Sequence, residues 1–227
     1  VTKKAERYWD ESLNDDSSYG TQYDTFSKLD SLGVDDYKKF KNRCIEKNVI
    51  FTSTPFNMPD IDVLDEVGVD LFKVSSSDIT YLEFIKNISK RNKPIIISTG
   101  CSSISEIQAA VDVIRSQGNN RIILQHCILQ YPCDDENVNL EKMLQIKEIF
   151  KDIPVGYSDH SIGIAIPQAA VSLGALTIEK HFTVDNSLPD SPDHKLSANP
   201  EQLNSLVKNI RRIEKARGIF KDGYYPA

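Results

Sequence analysis

"KPIIISTG", residues 93–100, is an unbroken apolar run of β-branched residues that stops at Ser98, Thr99 and Gly100. Continuous apolarity of this kind suits a parallel strand covered on both faces rather than a half-solvated antiparallel one. Five further runs have the same form: "NVIFTSTP" (48–55), "DLFKVSS" (70–76), "RIILQHC" (121–127), "PVGYSDH" (154–160) and "LTIEKHF" (176–182). The intervals at 35–47, 59–67, 80–91, 103–117, 138–150, 163–173 and 200–217 have helical period. Ser103 and Glu106 carry the spacing of a capping box, and Gly118 stands where that helix should end. Strand starts recur at roughly 20–35 residues, the interval of βα units in a barrel or a doubly wound sheet.

Two features favour an α/β fold of the (β/α)8, TIM-barrel type. The runs end in chemically capable residues (Thr54, Ser76, Ser98, Thr99, His126, His160 and His181), and barrel enzymes build their sites from the C-terminal ends of many strands. An open sheet would gather its site at one switch point, and no GxGxxG turn is present. About six βα units are readable, and no strand is evident in residues 1–30. Either two units lie outside these 227 residues, or the sheet is open, or strands in residues 1–30 escape detection.

The net charge is −6, and no stretch concentrates Lys and Arg without interspersed acids, which argues against nucleic acid or an acidic membrane as partner. No apolar run approaches the roughly 20 residues of a membrane span, and "VTKKAERYWDES" lacks a signal-peptide core. A soluble, cytoplasmic protein is expected. Cys44, Cys101, Cys127 and Cys133 have no CxxC spacing and are expected to be free thiols.

The four histidines, at 126, 160, 181 and 194, all fall at strand ends or in the loop after the last strand. If the strands ending in His160 and His181 are neighbours, both imidazoles stand on one rim and can share a divalent metal. Alternation along "LTIEKH" puts Thr177, Glu179 and His181 on one side and Lys180 on the other. Two imidazoles with positions left open suit Mn²⁺, Mg²⁺ or Zn²⁺ as a Lewis acid. Lys73, late in its strand and followed by three serines and Asp78, can pair with a phosphate or carboxylate, or form a Schiff base. The surrounding hydroxyls favour the anion. The polar loop 183–202, with Asp193 and His194, either covers a substrate or simply connects two elements.

"FTSTPF", "FKVSSSD", "PIIISTG", "HCILQYP", "GYSDHSIG", "IEKHFT" and "PDHKLSANP", in this order, resemble the N-acetylneuraminate (sialic acid) synthase family, including its legionaminic and pseudaminic acid relatives. The resemblance runs from about residue 1 to residue 218. It implies a (β/α)8 barrel that condenses phosphoenolpyruvate with an N-acylmannosamine-type amino sugar to give a nonulosonic acid and phosphate. By matching motifs, His160 and His181 would hold the metal, with Mn²⁺ expected and Mg²⁺ or Co²⁺ as substitutes. Thr54, Lys73, Ser76, Ser98 and Ser158 would line the phosphoenolpyruvate site, and Asp78, Tyr131 and Asp193 would face the sugar. Lys73, Asp78, His160 and His181 would carry the catalysis. The family's first two βα units would precede Val1 and its antifreeze-like domain would follow Ala227, leaving residues 1–227 a partial barrel domain of a homodimeric protein. Some members have Asn at the place of Leu129, Gly at that of Ser77 and Glu at that of Asp78, so the sugar can differ. A Schiff-base pyruvate aldolase using Lys73 and a non-catalytic sugar-binding remnant are the competing readings.

Overall fold

A computed structural model describes residues 32–218 except residue 190; the segment 1–30 lies outside the described residues. Helices α1 (Val34–Glu46) and α2 (Met58–Val67) lead into strand β1 (Phe72–Val74). Helix and strand then alternate through α3 (Leu82–Ser89), β2 (Ile95–Ser98), α4 (Ile104–Ser116), β3 (Ile122–His126), α5 (Leu140–Ile149), β4 (Val155–Asp159), α6 (Ala165–Ser172), β5 (Ile178–Lys180) and α7 (Pro200–Arg217). The sheet order is β1-β2-β3-β4-β5, with every neighbouring pair parallel.

Local chemistry sets the helix limits. Ser103 accepts from the Glu106 amide while the Glu106 carboxylate accepts from the Ser103 amide, closing the expected capping box of α4. Gly118, at φ 78°, turns the chain away after that helix, and Gly68, at the same φ, does so after α2. Asn57 and Asn199 cap α2 and α7 through their side-chain oxygens, each followed by a proline in the first turn.

The outward face of the sheet carries Phe72, Val74, Ile97, Leu124 and Tyr157, which pack with Phe84, Ile88, Ile107, Ile114 and Ile146 of the helices into one core. Each such side chain, wholly removed from water, contributes about 1.5–3 kcal/mol relative to exposure. The inward face carries Lys73, Ser98, Gln125, Ser158 and Glu179 beside Ile96 and Ile123. In a flat sheet β1 and β5 would lie about 19 Å apart, four spacings of about 4.8 Å. Yet Lys73 Nζ on β1 is 3.4 Å from Glu179 Oε2 on β5. The sheet therefore curls into an arc, a half-barrel whose concave side is lined by Lys73, Ser98, Gln125, Ser158 and Glu179.

Two sequence expectations are corrected. The run 48–55 is not a strand, and five strands rather than six stand among the described residues. Its first amides are spent on closing α1, Asn48 donating to Ile45 O and Val49 to Cys44 O. Asn48 adopts a positive φ, Pro55 has no amide to give, and Thr52 reaches the residue before β1 through its side chain, Oγ1 to Leu71 O at 3.0 Å. His126 is the second correction: it is not on the rim. It closes β3 on the outward face, fully buried, with its Nε2 2.9 Å from Val138 O.

Candidate functional site

The C-terminal ends of the strands converge on the concave side. Lys73 is brought inward by alternation, since Phe72 and Val74 on either side of it are buried in the core. Its ammonium donates to Ser98 Oγ, 2.7 Å away on the adjacent strand, and faces the Glu179 carboxylate across the arc. Just past β1, Ser76 accepts from the Gly100 amide at 2.9 Å and lies 3.1 Å from Cys127 Sγ. Gly100 allows this approach, because a Cβ there would stand 2.8 Å from both Ser76 Oγ and Cys127 Sγ. Burial pushes the Cys127 thiol above its ordinary range, so it serves as a neutral neighbour of Ser76. The cluster thus presents an ammonium and hydroxyls, donors suited to a carboxylate or phosphate.

A second group lies at the ends of β4 and β5. The rings of His160 and His181 are 5.4 Å apart between centroids, and Tyr131 packs 4.0 Å from the first and 5.8 Å from the second. His160 donates from Nδ1 to Ile128 O at 2.6 Å, which leaves its Nε2 with the lone pair. Burial pushes His160 below the ordinary histidine value, opposed in part by that carbonyl. Asp193 Oδ2 is 3.4 Å from His181 Nδ1, so the second imidazole is also oriented through Nδ1. Asp193 Oδ1 is buried, with no hydrogen-bond partner among the described residues. Two imidazoles on one rim, the first oriented by Ile128 O and the second facing Asp193, fit a divalent ion. Among the described residues no cluster of three or more His, Cys, Asp or Glu stands ready for a metal, so such an ion would complete its shell with water and substrate oxygen.

Behind this pair, on the outward face, sits a buried ion pair. Asp159 and Lys180 are opposite one another in the β4–β5 register, with Lys180 Nζ 2.7 Å from Asp159 Oδ2. Lys180 also donates to Ser161 O. Asp159 Oδ1 accepts from Tyr157 Oη, Ser161 N and Ser161 Oγ at 2.7–3.1 Å. Each member of the pair immediately precedes one histidine, so the ion pair ties together the strand ends that carry them.

The pattern of the NeuB family matches residues 1–222. The chain belongs to the NeuB family. The N,N'-diacetyllegionaminic acid synthase of Campylobacter jejuni is 42% identical over 218 residues, covering 95% of this chain and 63% of that protein. The crystal structure of N-acetylneuraminic acid (sialic acid) synthetase from Leptospira borgpetersenii superposes with a TM-score of 0.84 at 34% identity, over 95% of this chain and 73% of that one. A DAHP synthase from Thermotoga maritima, 20% identical, shares the fold with a TM-score of 0.72 over 83% of this chain and 57% of that one. The chain spans between 56% and 63% of the length of three curated relatives it matches.

In this NeuB-family chain Lys73 meets Ser98, Ser76 joins their rim through Gly100, and His160, His181, Tyr131 and Asp193 form one group. Ser158 is buried on the concave face opposite Glu179 in the register. Asp78 is partly buried, which raises its carboxyl above the ordinary range, and Ser77 Oγ donates to it at 3.2 Å. Thr54 is half-buried in the unpaired segment, and among the described residues it has no hydrogen bond to the Lys73 cluster. Lys180 points away from the concave side, as alternation predicts. Sequence reasoning did not single out Glu179 and Gln125 as site residues. Alternation along "LTIEKH" already put Glu179 inward, but only the curl of the sheet sets it against Lys73.

Proposed function

We propose that this chain carries the barrel site of a synthase that condenses phosphoenolpyruvate with an N-acylated amino-sugar aldehyde, giving a nonulosonic acid and phosphate. The observation that carries the reading is that one curled sheet of a NeuB-family chain bears the Lys73–Ser98 donor pair, which reaches Glu179 on β5, and the His160–His181 pair at the ends of β4 and β5. Lys73, Ser76, Ser98 and Ser158 bind the carboxylate and phosphate of phosphoenolpyruvate and offset the negative charge they bring. In this reading Thr54 joins them when its segment packs against the site. Asp78, Tyr131 and Asp193 orient the sugar so that its aldehyde carbon faces C3 of phosphoenolpyruvate. His160 and His181 would hold a divalent ion, Mn²⁺ in our reading, which would supply Lewis-acid chemistry at the aldehyde.

As the C3–C1 bond forms, the enol π pair is spent, C2 becomes an oxocarbenium, and the aldehyde C=O π pair moves onto its oxygen. Water adds at C2 and gives up a proton, for which Glu179 is the inward-facing carboxylate and which offsets the alkoxide left on the sugar. The C2–O bond to phosphate then breaks as the C2 hydroxyl loses its proton to the departing phosphate and becomes the carbonyl of the 2-keto acid. Lys73, held between a hydroxyl oxygen and a carboxylate, makes the contacts of an anion-binding ammonium rather than of a free amine that forms a Schiff base. A cytoplasmic homodimer, supplied there with phosphoenolpyruvate, completes the proposal. No helix among the described residues is long and apolar enough to cross a membrane.

The test is phosphate release by protein from the complete reading frame, given phosphoenolpyruvate, Mn²⁺ and a panel of N-acylated amino sugars, with and without EDTA. EDTA-sensitive release with one sugar, lost in His160→Ala and His181→Ala, is the expected result. Undiminished release by either variant, or borohydride trapping of pyruvate on Lys73 without metal, would overturn it.

A further inference from the structure

One polar side chain on the concave face is unaccounted for by the proposed reaction. Gln125, on β3, is 2% exposed and stands between Ser98 of β2 and Gly156 of β4 in the parallel register. Gly156 has no side chain, and a Cβ there would come within 1.9 Å of Thr177 Oγ1. The Gln125 carboxamide uses the gap: it passes over β4 and reaches Thr177 Oγ1, immediately before β5, at 3.2 Å. That bond engages one end of the amide. The other end, Oε1, is buried and has no partner among the described residues.

A buried amide end left unmatched is destabilising, so a protein keeps such a group where something outside the chain completes it. A hydroxyl both donates and accepts, so the Thr177 contact survives exchange of the amide oxygen and nitrogen. In the exchanged orientation Thr177 donates to the amide oxygen, and the NH₂ group turns toward the concave space. Its cross-strand neighbour there is Ser98, which already accepts from Lys73. An anion seated on Lys73 and Ser98 thus has amide N–H donors within the next strand spacing.

We propose that Gln125 is a binding residue of the anion site: its carboxamide, anchored on Thr177, donates an N–H bond to a carboxylate or phosphate oxygen of the ligand held by Lys73 and Ser98. The inference rests on the reading of that cluster as the phosphoenolpyruvate site. Gly156 belongs to the same device, because its missing side chain opens the path from Gln125 to Thr177.

The experiment is calorimetric titration of phosphoenolpyruvate into protein from the complete reading frame, comparing wild type with Gln125→Met, Gln125→Glu and Lys73→Met. Gln125→Met keeps the length and loses the donor, so Kd should rise about tenfold, the worth of one hydrogen bond to a charged group. Gln125→Glu adds a negative charge in the same shape and should weaken binding further. In turnover, KM for phosphoenolpyruvate should rise while KM for the sugar stays within about twofold of wild type. A side chain that only supports the fold would move both constants together, and that result would overturn the proposal.

If Lys73→Met loses binding while Gln125→Met binds as wild type does, Gln125 holds a structural water and the inference falls, with the anion site intact. If Lys73→Met binds normally, the anion site itself is misread and the inference falls with it. A readout independent of variant folding is the wild-type Gln125 side-chain NH₂ resonance, which should shift on addition of phosphoenolpyruvate. An unmoved resonance at saturating ligand would also overturn the proposal.

Discussion

Substituting Lys180→Met tests the claim that a buried ion pair holds together the strand ends carrying the two histidines. Lys180 and Asp159 have side-chain exposures of 4% and 0%, and their charged atoms are 2.7 Å apart. Methionine fills the aliphatic volume but removes the charge, leaving Asp159 Oδ2 buried without its cation. Breaking a buried pair from one side costs about 3–5 kcal/mol. The loss expected at neutral pH is therefore about 4 kcal/mol.

The assay is urea unfolding followed by circular dichroism. With a slope near 2 kcal/mol/M, the midpoint should fall by about 2 M at pH 7. Adding Asp159→Asn to Lys180→Met should recover much of the loss, because two neutral groups replace a stranded charge. A loss below about 1 kcal/mol, the size of an exposed pair, or a double variant no more stable than Lys180→Met, would refute the reasoning.

Gly156→Ala should destabilise by about 3 kcal/mol, because its Cβ would meet Thr177 Oγ1 at 1.9 Å and the Thr177 carbonyl oxygen at 2.7 Å. Thr177→Ala should relieve only part of this, since the backbone clash remains, and urea unfolding of the single and double variants measures both. Burial holds His126 below the ordinary histidine value, so the unfolded state takes up protons first as pH drops below about 6.5. Stability should fall over that range, with His160 adding in the same direction, and His126→Gln should flatten the slope by up to about 1.4 kcal/mol per pH unit. An unchanged slope would show that His126 titrates alike in both states. Ser103→Ala should cost about 1 kcal/mol in the same assay through loss of the α4 cap, and no loss would place the helix start elsewhere.

How much of this was legible beforehand depends on which physical interaction sets each feature. Apolar runs and helical period are local, and they located five strands and seven helices among the described residues. They failed at 48–55, where composition alone reads as a strand but the amides of Asn48 and Asn48's successor are consumed by the end of α1. Alternation is also local. It assigned Glu179 and His181 to one face and Lys180 to the other, which the structure bears out. It could not say that His126 turns outward, because the run "RIILQHC" is apolar on both sides of the sheet and leaves the inward register open.

The nearness of His160 to His181 followed from two similar strands being neighbours, and their order in the sheet makes them so. The motifs of the NeuB family were equally readable, since they are contiguous stretches of chain. What no contiguous stretch contains is a distance between strands. Lys73 meets Ser98 through register, and meets Glu179 because the sheet curls. Gln125 reaches Thr177 because Gly156, on the strand between, has no side chain to block it. Asp159 finds Lys180 because β4 and β5 pair at that one offset. Sequence by itself determined which residues form strands and helices and which belong to the family's motifs, because those properties reside in neighbours along the chain. The tertiary structure alone decided the partners of Lys73, Gln125 and Asp159, because hydrogen-bond register and sheet curvature set distances between residues that are remote in sequence.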